Sequence, residues 1–118
     1  MDFKAVKLEI FIPETYIEAL RDALHEVGVG RIGRYDHCLS ITQVSGYWRP
    51  LPGANPHLGQ VGKISFGIEC KVEVDCSVAL VEDALQAIRA VHPYDEPLIN
   101  VIPLLNHLFV GATAVTPP

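Results

Sequence analysis

Hydrophobic and polar positions alternate along Lys4–Ile12. Val6, Leu8, Ile10 and Ile12 share one side and Lys7 and Glu9 the other, which predicts a strand with one buried face. Phe11 departs from the alternation, so the end of this strand is expected to be covered on both sides. Pro13 and Glu14 suit the first turn of a helix, and Ile17, Leu20, Leu24 and Val27 then recur at helical spacing. Gly28 is placed to end that helix, because a helix C-terminus commonly takes a residue at positive φ. A second strand is predicted over Tyr35–Thr42. The Gly- and Pro-rich stretch Gln43–Gly62 has no period and reads as a long excursion, with a short hairpin arm around Tyr47-Trp48-Arg49.

The clearest strand runs from Ile64 to about Asp75, where Phe66, Ile68, Cys70, Val72 and Val74 alternate with polar partners. Its length exceeds the usual strand of roughly five or six residues, so it is expected to project past its own domain. A second helix is predicted from about Ser77 to Val91, on Leu80, Val81, Ala84, Leu85, Ile88 and Val91, with Pro93 ending it. Pro97–Leu104 supplies the last strand, and the apolar tail Leu105–Pro118 comes after it.

A shift of 64 positions superimposes Lys7 on Lys71, Glu9 on Glu73, Ile17 on Val81, Leu24 on Ile88 and Val27 on Val91. Two strand–helix units, each followed by another strand, give the order βαββαβ. The expectation is an α+β, ferredoxin-like plait: a four-stranded antiparallel sheet with both helices on one face. The other face has no cover within the chain, and burying it at about 25 cal/mol per Å² favours self-association. One domain is expected over residues 1–118, with its core at about 4–104 and the 105–118 tail packing on that core or on a partner subunit.

Composition narrows the partners. With 118 residues, 49% apolar and 19% charged, the chain has enough material for one core. A net charge of -5 and nine scattered basic residues argue against nucleic acid and against an anionic membrane surface. No apolar run reaches the roughly 20 residues of a membrane span. Met1–Val6 has no basic start or apolar core of a secretion signal, and Cys38, Cys70 and Cys76 are odd in number without CxxC spacing. The expected location is cytoplasmic, with reduced thiols.

Two segments carry candidate chemistry. His92-Pro93-Tyr94-Asp95-Glu96-Pro97 places an imidazole, a phenol and two carboxylates at a helix-to-strand turn, a set suited to ligand binding at His92, Tyr94, Asp95 and Glu96, or to acid–base chemistry. The plainer reading is a turn framed by prolines, with a cationic His92 favoured at the helix C-terminus and Tyr94 filling a subunit contact. Asp36-His37-Cys38, joined by His57 or His92, offers imidazole and thiolate to a divalent transition metal. On a strand, Asp36 and Cys38 would face one way and His37 the other, so such a site would use one face. The metal candidates are therefore His37, Cys38, His57 and His92. His25 and His107 are expected to be surface or packing residues. The Pro52–Gly62 loop lacks the Gly-Lys-Ser/Thr end of a P-loop, although its amides can line an anion pocket, and no nucleophile elbow is present.

The run Gly28-x-Gly30-x-Ile32-Gly33-x-Tyr35-Asp36-x-Cys38 continues into Arg49-Pro50 and Pro52-Gly53-Ala54-Asn55-Pro56-x-x-Gly59-x-x-Gly62. Together with His92-Pro93-Tyr94-Asp95-Glu96-Pro97 and Ile102-Pro103-Leu104, it resembles the YqfO-type domain inserted in dinuclear-metal proteins of the Nif-three-like family. The His-Pro-Tyr-acidic segment before a final strand also resembles the CutA family of divalent-cation-tolerance proteins. Both resemblances imply the βαββαβ fold and an oligomer, dimer or trimer, related to the PII signalling proteins. The His-His-Pro-type and His/Glu motifs that hold two metals in the parent family do not occur here, so the resemblance carries over neither that centre nor a hydrolase activity. The reading is a non-catalytic binding or regulatory module with ligands at subunit clefts. Its alternatives are a CutA-like metal binder and an enzyme using the His92–Pro97 cluster.

Overall fold

The structure, a computed structural model, describes residues 2–118. Its strands are β1 (Ala5–Ile12), β2 (Ser40–Trp48), β3 (Ser65–Ser77) and β4 (Ile99–Leu104), and its helices are α1 (Ile17–Glu26) and α2 (Val81–Val91). They form one sheet in the order β2-β3-β1-β4, with every neighbouring pair antiparallel. This is the plait expected from two interlocked strand–helix crossovers. Pro103 lies on β4, an edge strand, where its missing N–H removes no bond from a central ladder.

The alternation in β1 and β3 decides where the core lies. Val6, Leu8, Ile10 and Ile12 join Cys70, Val72, Val74 and Cys76 on one face, under Ile17, Leu20 and Leu24 of α1 and Ala84 and Ile88 of α2. Burial pushes the Cys76 thiol up to about 11, so it stays protonated and behaves as a small apolar side chain. Each helix is preceded by a short 3-10 turn, Glu14–Tyr16 and Val78–Leu80. Gly28 closes α1 as expected: at φ 87 its N–H donates to the His25 carbonyl at 2.9 Å, while Val29 N–H reaches back to Leu24.

Two expectations are corrected. The second strand begins at Ser40, not Tyr35. Gly30, Gly33 and His37 all have positive φ, and a bridge between Ile32 and Tyr35 folds 29–38 into a compact loop. The exposed face of the sheet is also not apolar at its centre. It carries Lys7, Glu9, Lys71, Glu73 and Asp75, with Lys7 paired to Glu73 at 3.2 Å, because both central strands commit their apolar residues to the helix side. Exposed apolar surface lies elsewhere, on Ile41 and Tyr47 of β2, on Phe66 and Ile68 of β3 and on Leu105, Leu108, Phe109 and Val110 of the tail. The tail is tied to its own chain at Thr116, whose N–H donates to the Arg31 carbonyl and whose hydroxyl accepts from Gly33 N–H. No helix among the described residues is long and apolar enough to cross a membrane.

Ile10 is fully buried between the sheet and the helices, whereas Glu9 beside it faces outward opposite Glu73. Ile10→Ala is expected to lower the unfolding free energy by about 2–5 kcal/mol. Glu9→Gln should stay within about 0.5 kcal/mol of the parent. Urea denaturation monitored by circular dichroism measures both.

Candidate functional site

β1 stops at Ile12, opposite Cys70, but β3 extends back to Ser65. The overshooting part pairs only with β2, from Val44 to Trp48, and forms a two-stranded arm. At about 3.4 Å per residue, a strand of 13 residues spans roughly 44 Å, which accounts for most of the 50 Å long axis of the molecule. In the angle between this arm and the end of β1, the chain after α2 and the loop after β2 close off a cavity of about 650 Å³. Its aromatic walls are Phe11, Tyr47, Trp48 and Phe66, and its polar groups include His57, Glu69, Tyr94, Asp95 and Glu96.

Small residues make this wall possible. A Cβ on Gly67 would stand 3.0 Å from the Trp48 ring, and one on Gly59 would stand 3.0 Å from the indole nitrogen. The indole lies flush in that space and donates from Nε1 to the Leu58 carbonyl at 3.1 Å, pinning the loop to the arm. Asp95 fixes the other side of the loop by accepting from Asn55 N–H at 2.9 Å.

Three of the four residues expected to bind ligand, Tyr94, Asp95 and Glu96, line the cavity together. The fourth, His92, is buried behind them. Its Nε2 lies 2.7 Å from the Phe11 carbonyl, which can only accept, and Tyr94 N–H donates to its Nδ1 at 3.2 Å. The ring is therefore the neutral Nε2–H tautomer with both nitrogens occupied. The expected cationic His92 is corrected on this point: burial pulls its pKa below the ordinary value, outweighing the upward pull of the Phe11 hydrogen bond. Tyr94 donates its phenol proton to Glu69 Oε1 at 3.1 Å, and burial, with the Glu69 charge, raises the phenol well above its usual value. Sequence reasoning misses Glu69. Along the chain it is one of several polar residues on the outward side of β3, and only the arm's overshoot separates it from Glu73 and Asp75.

The metal candidates His37, Cys38, His57 and His92 do not converge. His57 and His92 flank Tyr94, with ring centroids 6.0 and 4.7 Å from it. His37 lies in the 29–38 loop, in left-handed conformation at φ 57, with its ring stacked on His25. Cys38 turns its thiol to the Asp36 carbonyl at 3.6 Å. The strand argument that separated Asp36 from His37 does not apply to this loop, where Asp36 Oδ1 and His37 Nδ1 are 2.8 Å apart.

The folded state holds His92 neutral, with a pKa below the 6.5 of a free imidazole. The stability this contributes is complete above about pH 6.5 and is lost as pH falls through the folded-state value, because the unfolded chain takes up the proton first. His92→Gln, whose amide can donate to Phe11 and accept from Tyr94, should show a smaller drop in Tm between pH 7 and pH 5 than the parent. Differential scanning calorimetry across that range is the check.

No family model matches the chain. It is 34% identical over 100 residues to a "GTP cyclohydrolase 1 type 2 homolog" of Halalkalibacterium halodurans, covering 85% of this chain and 27% of that protein. The protein of the same description in Bacillus subtilis is 33% identical over 98 residues, covering 83% of this chain and 26% of the relative. Among solved structures, a Bacillus cereus protein related to NIF3 superimposes with a TM-score of 0.76 at 30% identity, over 88% of this chain and 26% of that one. CutA1 of Ehrlichia chaffeensis, described as a divalent ion tolerance protein, gives a TM-score of 0.65 at 20% identity over 90% of this chain and 86% of its own, a likeness of fold. Over most of its length the chain is thus homologous to about a quarter of the GTP cyclohydrolase 1 type 2 homologs and of a NIF3-related protein, and it has the fold of the CutA proteins.

Proposed function

We propose that this chain is a non-catalytic binding module that acts as a homo-oligomer and takes a small ligand in the cavity between its β2–β3 arm and the Tyr94–Glu96 segment. The observation that carries the reading is the cavity itself. Its volume of about 650 Å³ suits a small molecule, and its walls combine an aromatic surface with a few convergent polar groups. Binding is favoured over catalysis by the state of those groups. His92 has no free nitrogen with which to relay a proton, and the Tyr94 phenol holds its proton against Glu69. Proton transfer works best from a group poised near the operating pH, and these two are moved away from it in opposite senses.

Charge narrows the ligand class. Glu69, Asp95 and Glu96 face the cavity, and its lining includes neither Lys nor Arg. A triphosphate would meet carboxylates without a neutralising cation, so the substrate in the relatives' description is a poor fit to this cavity. A flat apolar body carrying an amine or another hydrogen-bond donor suits it, with the body against Trp48 and Phe11, which share the outward side of the sheet with Glu69, and the donor at Glu69. Self-association rests on the arm and tail, where Phe66 and Ile68 are 60% and 67% exposed, rather than on the charged centre of the sheet.

Tryptamine and GTP serve as contrasting probes in NMR titrations of the labelled chain. Tryptamine is expected to shift the Trp48, Glu69 and Tyr94 amides, and Glu69→Gln to weaken it at least about threefold. Shifts with GTP and none with tryptamine would overturn the ligand class. For assembly, light scattering at micromolar concentration should give a dimer or larger species, and Phe66→Glu with Ile68→Glu should reduce it to monomer. A monodisperse parent monomer would overturn the assembly.

A further inference from the structure

We propose that His25, Asp36 and His37 form a binding site for one divalent transition-metal ion of the zinc type, at the C-terminal end of α1 and apart from the cavity. One ligand-capable atom from each of the three lies within 4.8 Å of the others. They come from two elements. His25 lies in the last turn of α1, and Asp36 and His37 come from the loop after it. α1 starts from the Ile12 end of β1 and runs back, so this cluster lies toward the opposite end of the sheet from the cavity. Leu80 marks that end: it comes three residues after Ser77, the cross-strand partner of Ala5, and sits 3.5 Å from where a Cβ on Gly28 would be.

The loop is built to hold this arrangement. Cys38 N–H donates to the Gly30 carbonyl at 2.9 Å, and Ile32 and Tyr35 exchange backbone bonds. A Cβ at Gly30, which has φ 91, would come 3.0 Å from the Cys38 carbonyl oxygen, so only glycine permits this closure without a shift. His37 is the only non-glycine residue at positive φ among those described, and that backbone lays its ring on His25 with centroids 3.8 Å apart and planes 20° from parallel. Thr116 of the tail braces the same loop through Arg31 and Gly33.

The donor chemistry fits a borderline divalent ion. Two imidazoles and a carboxylate suit zinc, copper or nickel better than magnesium or calcium, which select oxygen ligands. The Nδ1 of His25 is closed to solvent and has no hydrogen-bond partner. Asp36 Oδ1 already stands 2.8 Å from His37 Nδ1, so the carboxylate is held beside the imidazole. Zinc bonds of about 2.0–2.2 Å place neighbouring ligand atoms roughly 3–3.5 Å apart, so binding draws the exposed Asp36 and His37 side chains in from a separation of up to 4.8 Å and turns the His37 ring out of its parallel stack on His25. Three protein ligands leave a coordination position for water or a further ligand.

The test is calorimetric titration of Zn²⁺ into the tag-free full chain at pH 7.5. One equivalent per chain is expected, in the micromolar range or tighter. His25→Ala and His37→Ala should each weaken binding at least about tenfold, and His57→Ala should leave it within about twofold. In parallel, the imidazole signals of His25 and His37 in the parent chain should shift on adding Zn²⁺, a readout that requires no variant to fold. Absence of saturable binding at millimolar Zn²⁺ overturns the proposal. So does binding that survives His25→Ala and His37→Ala, or imidazole shifts confined to His57 and His107.

Discussion

The pairing register of β1 with β3 is the constraint on which the rest of the molecule depends. Glu9 lies opposite Glu73, and these two are also equivalent positions of the internal repeat. A local two-fold axis therefore passes between them and relates one strand–helix unit to the other. Because strand side chains alternate with a period of two, this register sets every even position of the paired lengths, Val6–Ile12 and Cys70–Cys76, against the helices and leaves the charges outside. Slipping the pair by one residue would place Lys7 and Glu9 beneath α1 and α2. Two like charges opposite one another are unfavourable, but here Lys7 and Lys71 lie 3.2 and 3.8 Å from Glu73, and Asn100 donates to Glu9 at 3.2 Å. The outer face is thus a small charge network, made by the same symmetry that makes the core.

The symmetry breaks in the segments that leave the two helices. After α2 the chain passes through His92–Leu98 into β4, which runs for six residues beside β1. After α1 it makes the 29–38 loop and then β2, nine residues long, which accompanies β3 beyond the end of β1. The overshoot deprives Phe66 and Ile68 of the helix cover that Cys70 and Val72 receive, although all four continue one alternation. It also brings Glu69, the first outward carboxylate past the end of β1, beneath Tyr94. Cavity, arm and exposed apolar surface are three results of one difference in strand length.

Much of this architecture is legible in the sequence because it is periodic. β1, α1, β3 and α2 have one buried face each, and burial enforces the pattern that reading detects. β2 escapes that reading for the converse reason. Most of its residues are exposed, and Ser40–Trp48 carries little apolar rhythm. The preceding Tyr35–Thr42 alternates by chance over a loop that glycines and a left-handed His37 bend. At the cavity, the Tyr94-Asp95-Glu96 segment stands out through its density of functional groups between prolines. Phe11 stands out only as a break in the β1 alternation, and Glu69 does not stand out at all, since it becomes part of the cavity only through contacts across the fold. His25 reads as a surface or packing residue because it sits on a helix, and nothing local signals that a loop returns two side chains to it.

His92 shows why a run dense in chemistry need not be where the chemistry occurs. One side of its ring secures the end of β1 through the Phe11 carbonyl, and the other holds the backbone of Tyr94. The imidazole thus bridges two segments whose backbone groups would otherwise be buried without partners, at a turn where Pro93 supplies no N–H. A lysine or glutamate could not both donate to a carbonyl and accept from an amide within that span, whereas a neutral imidazole does both. Exposing the ring to perform proton transfer would release both bonds and loosen the segment that aims Tyr94, Asp95 and Glu96 at the cavity. The residue with the most reactive side chain in the segment is accordingly its support, and the groups that it holds in place are the ones that line the cavity.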